Sequence, residues 1–131
     1  MVTEDYVSFE VAKLLKEKGF ENSEPTCINV FKGHIYKIQD NEIIADDDVT
    51  IPTLQMAMKW LREVHKLGVF PTTYYREMGG NVRHDYGSTI VRLDTFEIIG
   101  NSENIRDYTF EADSYEETAE KAIRYCLENI I

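Results

Sequence analysis

The chain has 131 residues, 43% of them hydrophobic, and its 24 Asp and Glu against 14 Lys and Arg give a net charge of −10. This length predicts a single domain over residues 1–131 that buries roughly two thirds of its unfolded surface. An acidic surface repels phosphate backbones, so a nucleic-acid partner is disfavoured. No apolar run approaches the roughly 20 residues of a membrane span, and the acidic N-terminus does not resemble a signal peptide. We therefore expect no membrane partner and a cytoplasmic location.

The charge is distributed unevenly along the chain. Residues 59–92 hold six Lys and Arg against three acids, whereas residues 97–120 hold eight acids and a single base. Two cysteines, Cys27 and Cys126, are too few for a disulfide framework and fit a reducing compartment. Acidic stretches of this kind are typical of a solvated surface.

The first predicted element is a helix that starts near Ser8 and runs to Lys18. Gly19 suits the left-handed position that follows a helix, and Phe20 is placed to fold back as its hydrophobic partner. A polar loop over residues 21–26 follows.

A second helix is predicted from Leu54 to Leu67, with Thr53 as its cap and Gly68 as the residue that ends it. Its apolar side chains sweep more than half of the circumference, which predicts burial on two sides. Trp60 lies well inside this arc, so we expect it to be buried against the sheet. His65 lies in the same arc and is expected to be a core or boundary histidine with one satisfied nitrogen.

The third helix is predicted from Tyr115 to Ile130, because Ser114 and Glu117 have the spacing of a capping box. Its apolar face includes Cys126, which is expected to be an inert core thiol. Its outer face offers two i, i+4 ion pairs in the favoured order, Glu117 with Lys121 and Glu120 with Arg124.

Short segments rich in β-branched and aromatic residues predict the strands. The expected strands are 27–32, 35–39, 72–78, 89–99 and 105–112. Short strands at 43–45 and near Val82 are optional additions to this set. The expected turns are Gly33-His34, Gly79-Gly80-Asn81, Asp85-Tyr86-Gly87-Ser88 and Gly100-Asn101-Ser102. The fold class is therefore α+β: an antiparallel sheet of about four to six strands with three helices packed on it, in the order α-β-β-α-β-β-β-α.

The sequence lacks the residue patterns that are typical of common metal-binding, phosphate-binding and catalytic sites. The acidic run Asp46 to Asp48 lacks the glycine and glutamate that a calcium loop requires, and the three histidines lack partners at metal-ligand spacing. There is no phosphate-binding glycine-rich loop. Cys27, His34 and Asp40 fall in one hairpin region, yet their order matches no cysteine-protease signature. We therefore predict no catalytic residues, no metal site and no cofactor.

One constellation suits binding. Tyr74, Tyr75 and Arg76 precede the Gly79-Gly80 turn, and Arg83, His84 and Tyr86 follow it. A hairpin would gather these aromatic and cationic side chains at one end of the sheet, where they could stack on a ligand and contact an anion. The same residues equally fit an exposed strand that has no binding role.

Three segments carry a resemblance to other proteins: residues 8–20, 52–65 and 115–129. Together they resemble a set of small uncharacterised proteins of gut Bacteroides-type bacteria and of their phages and mobile elements. The resemblance covers the three helices and implies a small cytosolic accessory protein. It implies no activity and no catalytic residue.

The sequence thus favours a non-enzymatic interaction protein whose partner is another protein. A weak contact surface for a small ligand or single-stranded nucleic acid, located between Tyr74 and Tyr86, is the second interpretation. An enzyme of unidentified class is the third. It would require a cleft in which groups such as Cys27, His34 and His84 converge with an acid.

Overall fold

The computed structural model describes residues 5–20, 28–31, 34–37, 49–101 and 110–131. At 28–31, 34–37, Arg76, Met78, Arg83 and Asn101 it describes the backbone alone. The described elements are α1 (Phe9–Glu17), β1 (Ile28–Phe31), β2 (His34–Lys37), β3 (Val49–Ile51), α2 (Leu54–Val64), β4 (Leu67–Met78), β5 (Asn81–Arg92), β6 (Ile98–Asn101) and α3 (Tyr115–Asn129). The predicted α+β class, with antiparallel strands and three helices, is confirmed.

The described strands form two antiparallel sheets, each with three strands, in the orders β2-β1-β3 and β4-β5-β6. The observed element order has one more strand before α2 than expected, because β3 lies directly before that helix. The strands predicted at 43–45 and over most of 105–112 lie outside the described residues. Val82, expected in a short strand of its own, belongs to β5.

Helix α3 is the centre of the packing. It contacts β4, β5, α1 and α2, while α2 packs on β4 and α1 packs on β3. The apolar side chains that it buries are Ala119, Ala122, Ile123, Cys126 and Leu127. They form one cluster with buried residues of α1 and α2 and with Leu67, Val69 and Ile90. These three residues lie at the ends of β4 and β5 that are far from the Gly79-Gly80 turn. The sheet formed by β4, β5 and β6 therefore shares one core with all three helices in the described part of the chain.

The helix starts follow the sequence prediction. The hydroxyls of Ser8, Thr53 and Ser114 accept hydrogen bonds from the backbone N–H three residues on, at 3.3, 3.1 and 3.1 Å. At the end of α1, Gly19 has φ +94°, and the Phe20 N–H donates to the Leu15 carbonyl at 2.9 Å. These are the bonds of a Schellman motif, and they confirm the predicted C-terminus.

The predicted end of α2 is wrong. The helix stops at Val64, and Lys66, with φ +56°, takes the left-handed conformation that was expected of Gly68. Gly68 instead lies buried in β4, where a Cβ atom would approach the Phe70 ring to 2.6 Å. The glycine therefore leaves room for the Phe70 ring, and the chain enters β4 at Leu67, directly after the left-handed Lys66.

Two predicted turns are also wrong. Residues 85–88 lie inside β5, and Gly100 and Asn101 lie inside β6. Turn-forming residues occur in β5 because burial overrides their local preference: Ser88 is 1% exposed and hydrogen-bonds to Thr118 of α3. The Gly79-Gly80 turn is confirmed, with Asn81 already in β5. Of the predicted Gly33-His34 turn, Gly33 lies outside the described residues and His34 belongs to β2.

The buried face of α2 is narrower than predicted. Leu54, Ala57, Met58 and Leu61 are buried, whereas Val64 is 58% exposed. Trp60, for which the sequence predicts a largely buried ring, is partly buried and packs against the core cluster. Its ring makes edge contacts with Phe20 at 5.6 Å and with His65 at 4.7 Å between centroids.

On α3, one predicted ion pair is observed and the other is not. Lys121 Nζ lies 4.0 Å from a carboxylate oxygen of Glu117. Arg124 instead pairs with Glu128 at 2.6 Å and with Glu10 of α1 at 3.2 Å. Glu120 accepts from the Ser8 N–H at 2.5 Å, so the carboxylate expected to pair with Arg124 connects α3 to the start of α1.

The burial of α2 predicts a sharp contrast between two neighbouring substitutions. Leu61→Ala should lower the free energy of unfolding by about 2–5 kcal/mol, because it leaves a cavity in the core. Val64→Ala should change it by less than ~0.5 kcal/mol, because that side chain is exposed. Chemical denaturation of both variants would test this, and equal losses would contradict the observed helix face.

Cys126 is fully buried, as predicted, and burial raises the pKa of its thiol from 9.0 to about 12. In the native protein at pH 8 the thiol should stay protonated and resist iodoacetamide until denaturant is added. The stability linked to this raised pKa should be lost as the pH rises from 9.0 toward 12. Peptide mass mapping separates Cys126 from Cys27, and rapid native labelling of Cys126 would contradict its burial.

Candidate functional site

The long β4–β5 hairpin carries the predicted binding residues. Gly79 and Gly80 have φ +57° and +84°, the two positive values that a type I′ turn requires. This two-residue turn pairs Met78 with Asn81 and fixes the register of all 12 residue pairs down to Leu67 with Arg92. At about 3.3 Å per residue, each strand spans about 40 Å.

The helices cover only the proximal part of this hairpin. The 15 residues of α3 span about 22 Å, roughly half the length of the strands. Leu67, Val69, Ser88 and Ile90 are buried on the face toward the helices. Beyond Ser88 the same face becomes exposed. We call the part from Thr72 to Gly87 the distal hairpin.

Three rings form a layer on that exposed face. Tyr75 stacks on His84 with centroids 5.2 Å apart and planes 25° from parallel, and His84 stacks on Tyr86 at 5.2 Å and 29°. Tyr75 is 77% exposed, His84 is exposed and Tyr86 is half-buried. We call Tyr75, His84 and Tyr86 the ring layer.

The strand register explains why these rings meet. Tyr75 pairs directly with His84, and Thr73 pairs with Tyr86, so all four positions lie on one face. Tyr86 uses its own N–H and C=O to bond Ala112 on its other side, at 3.2 and 3.0 Å. These pairs are therefore not hydrogen-bonded across β4 and β5, and side chains of such pairs approach most closely.

Thr73 holds the central ring of the layer. Its hydroxyl donates to the Asp85 carbonyl at 3.3 Å and is in hydrogen-bond contact with Nε2 of His84. The imidazole is thus fixed both by stacking and by a hydrogen bond.

The structure separates the six predicted residues into two groups. Tyr75, His84 and Tyr86 come together, whereas Tyr74 pairs with Asp85 on the opposite face, where the Asp85 side chain is 1% exposed. Arg76 and Arg83 are paired positions of β4 and β5. Each is adjacent in sequence to a residue of the ring layer and therefore lies on the opposite face of the hairpin. The expected single cluster of aromatic and cationic groups is therefore divided between two faces by strand alternation.

One residue of this surface was not predicted. Val82 pairs with Glu77 on the same face as the ring layer and is 69% exposed. A two-residue turn at Gly79-Gly80 would have revealed it, because Met78 then pairs with Asn81 and Glu77 with Val82. The turn predicted from the sequence included Asn81 and so left the register unspecified.

The alternative catalytic group cannot be assembled from what is described. Cys27 and Asp40 lie outside the described residues, and His34 begins β2 with its backbone alone described. Within the described ranges no three His, Cys, Asp or Glu side chains are grouped to hold a metal ion. His65 is half-buried beside Trp60, and its Nε2 has no hydrogen-bond partner in the described part of the chain.

Comparison with known proteins adds no further constraint. The chain has no significant match to a protein-family model, to a curated protein or to a solved structure. Among the described helices, none is both long enough and apolar enough to cross a membrane. Function must therefore be argued from the distal hairpin itself.

Proposed function

We propose that this protein is a non-enzymatic accessory module that binds another protein, and that the ring layer of the distal hairpin is its contact surface. The observation that carries the proposal is the exposure of a stacked Tyr-His-Tyr layer beyond the helices. Tyrosine is enriched at protein interfaces, since its ring buries apolar area while its hydroxyl keeps a hydrogen bond.

The fixed geometry of the layer supports this role. Two ring contacts and the Thr73 hydrogen bond hold His84 in place. Binding then costs little side-chain entropy, because the rings are already ordered. The neighbouring Val82 adds an exposed apolar group to the same face. A partner can therefore meet a rigid surface with aromatic and aliphatic parts.

The ring layer suits a protein better than a nucleic acid. Bases bind by stacking on free aromatic faces. The His84 ring already stacks with both Tyr75 and Tyr86, so it is less available to a base. Arg76 and Arg83, the cations that could meet phosphates, belong to positions of the opposite face. The net charge of −10 also opposes a polyanion.

A photo-crosslinking comparison tests the proposal. Benzoylphenylalanine replaces Tyr75 in one variant and Phe96 in a matched control, since these rings are 77% and 78% exposed. In the native host, we expect a specific protein adduct from position 75 that is absent from position 96. His84→Ala should reduce that adduct about tenfold, because it removes the central ring of the layer. Equal adducts at both positions, or none at position 75, would contradict the proposal.

A nuclear magnetic resonance titration decides between protein and nucleic acid. Mononucleotides and short single strands at millimolar concentration should leave the resonances of the ring layer unchanged. Salt-sensitive shifts confined to Tyr75, His84 and Tyr86 would instead favour the nucleic-acid surface.

A further inference from the structure

Strand β4 forms one edge of its sheet. The strand order is β4-β5-β6, and β5 is the sole strand paired with β4 in the part of the chain that the structure describes. An edge strand presents backbone N–H and C=O groups that a further strand can pair with. The question is which groups are presented and what they would bind.

The register identifies these groups. Tyr86 directs its N–H and C=O away from β4 to Ala112, so its partner Thr73 likewise directs its own away from β5. Hydrogen-bonding direction alternates along a strand, so Tyr75 and Glu77 share this outward direction. All three residues are exposed. Thr73, Tyr75 and Glu77 together form what we call the β4 edge.

The ends of this edge are defined by sequence. Pro71 has no N–H and is the next outward position toward the core, so it closes the edge on that side. The turn at Gly79 closes it on the other side. The β4 edge is therefore the length of a short strand, and the sequence of this strand includes two charged residues, Arg76 and Glu77, which discourage unspecific pairing.

We infer that the β4 edge accepts an extended, acidic segment of the partner protein as an added strand. The inference rests on the proposed function and specifies its binding mode. An added strand would alternate its side chains, with apolar residues on the ring-layer face and acidic residues on the face of the Arg76 and Arg83 positions. The charges of the distal hairpin agree, because the face of the Arg76 and Arg83 positions holds one acid, Asp85, and that residue is buried.

The probe is a capped eight-residue peptide in which valine alternates with glutamate, added to the isotope-labelled full chain. We expect amide hydrogen exchange at Thr73, Tyr75 and Glu77 to slow by about tenfold or more. Val82 and His84, which direct their amides to the other edge of the hairpin, serve as internal controls and should not change.

Three matched peptides sharpen the test. Replacing every glutamate with lysine should abolish the protection, because the charge complementarity is lost. Methylating the backbone nitrogens of alternate residues blocks one hydrogen-bonding edge of the peptide. Of the two possible methylation patterns, one should abolish protection and the other should retain it.

Three results would overturn the inference. Ring shifts at Tyr75 and His84 without new amide protection would mean that the peptide lies across the ring layer, which leaves the proposed function standing. Protection that depends on protein concentration without peptide would assign the edge to a second copy of the chain. Unchanged exchange at millimolar peptide would exclude the added strand, whatever the crosslinking result.

Discussion

Hydrogen bonds of two buried hydroxyls, those of Ser88 and Thr118, fix the position of α3 on the sheet formed by β4, β5 and β6. Thr118 Oγ1 donates to the Phe110 carbonyl, and Ser88 Oγ lies 2.9 Å from Thr118 Oγ1 and 3.1 Å from its carbonyl. The Thr118 hydroxyl uses its proton on Phe110, and the Ser88 hydroxyl donates to the Thr118 carbonyl. An unpaired buried hydroxyl would cost about 1–3 kcal/mol, so these hydrogen bonds hold β5, α3 and the segment before α3 in one register. On the face toward the helices, burial ends at Ser88, and the next two side chains along β5 are the half-buried Tyr86 and the exposed His84 of the distal hairpin.

Local signals predicted the helix starts well, because a cap depends on residues only three apart. Ser114 and Gly19 behave as their neighbours in the sequence require. The errors arose where distant contacts decide the conformation. Gly68 was expected to end a helix, but it pairs with Val91 of β5 inside a strand, and Ser88 was expected in a turn, but α3 buries it in a strand. Neither contact has a signature in the local sequence.

The candidate site was predictable in part. The hairpin and its aromatic content follow from the sequence. The prediction of one cluster of six residues was wrong, because side chains alternate between the two faces along a strand. Tyr74 and Tyr75 are adjacent in sequence and therefore face opposite sides. The stacking of His84 required the register, which a two-residue turn sets and a three-residue turn would shift. The Thr73 contact that holds His84 depends on side-chain geometry that no spacing rule supplies.

The central claim is that the distal hairpin presents an ordered ring layer before any partner is bound. The most direct measurement is a nuclear Overhauser spectrum of the free protein. The account predicts cross-peaks between the ring protons of Tyr75 and His84 and between those of His84 and Tyr86, since each pair of centroids is 5.2 Å apart. Absent cross-peaks, with ring shifts at the values of unstructured peptides, would contradict it.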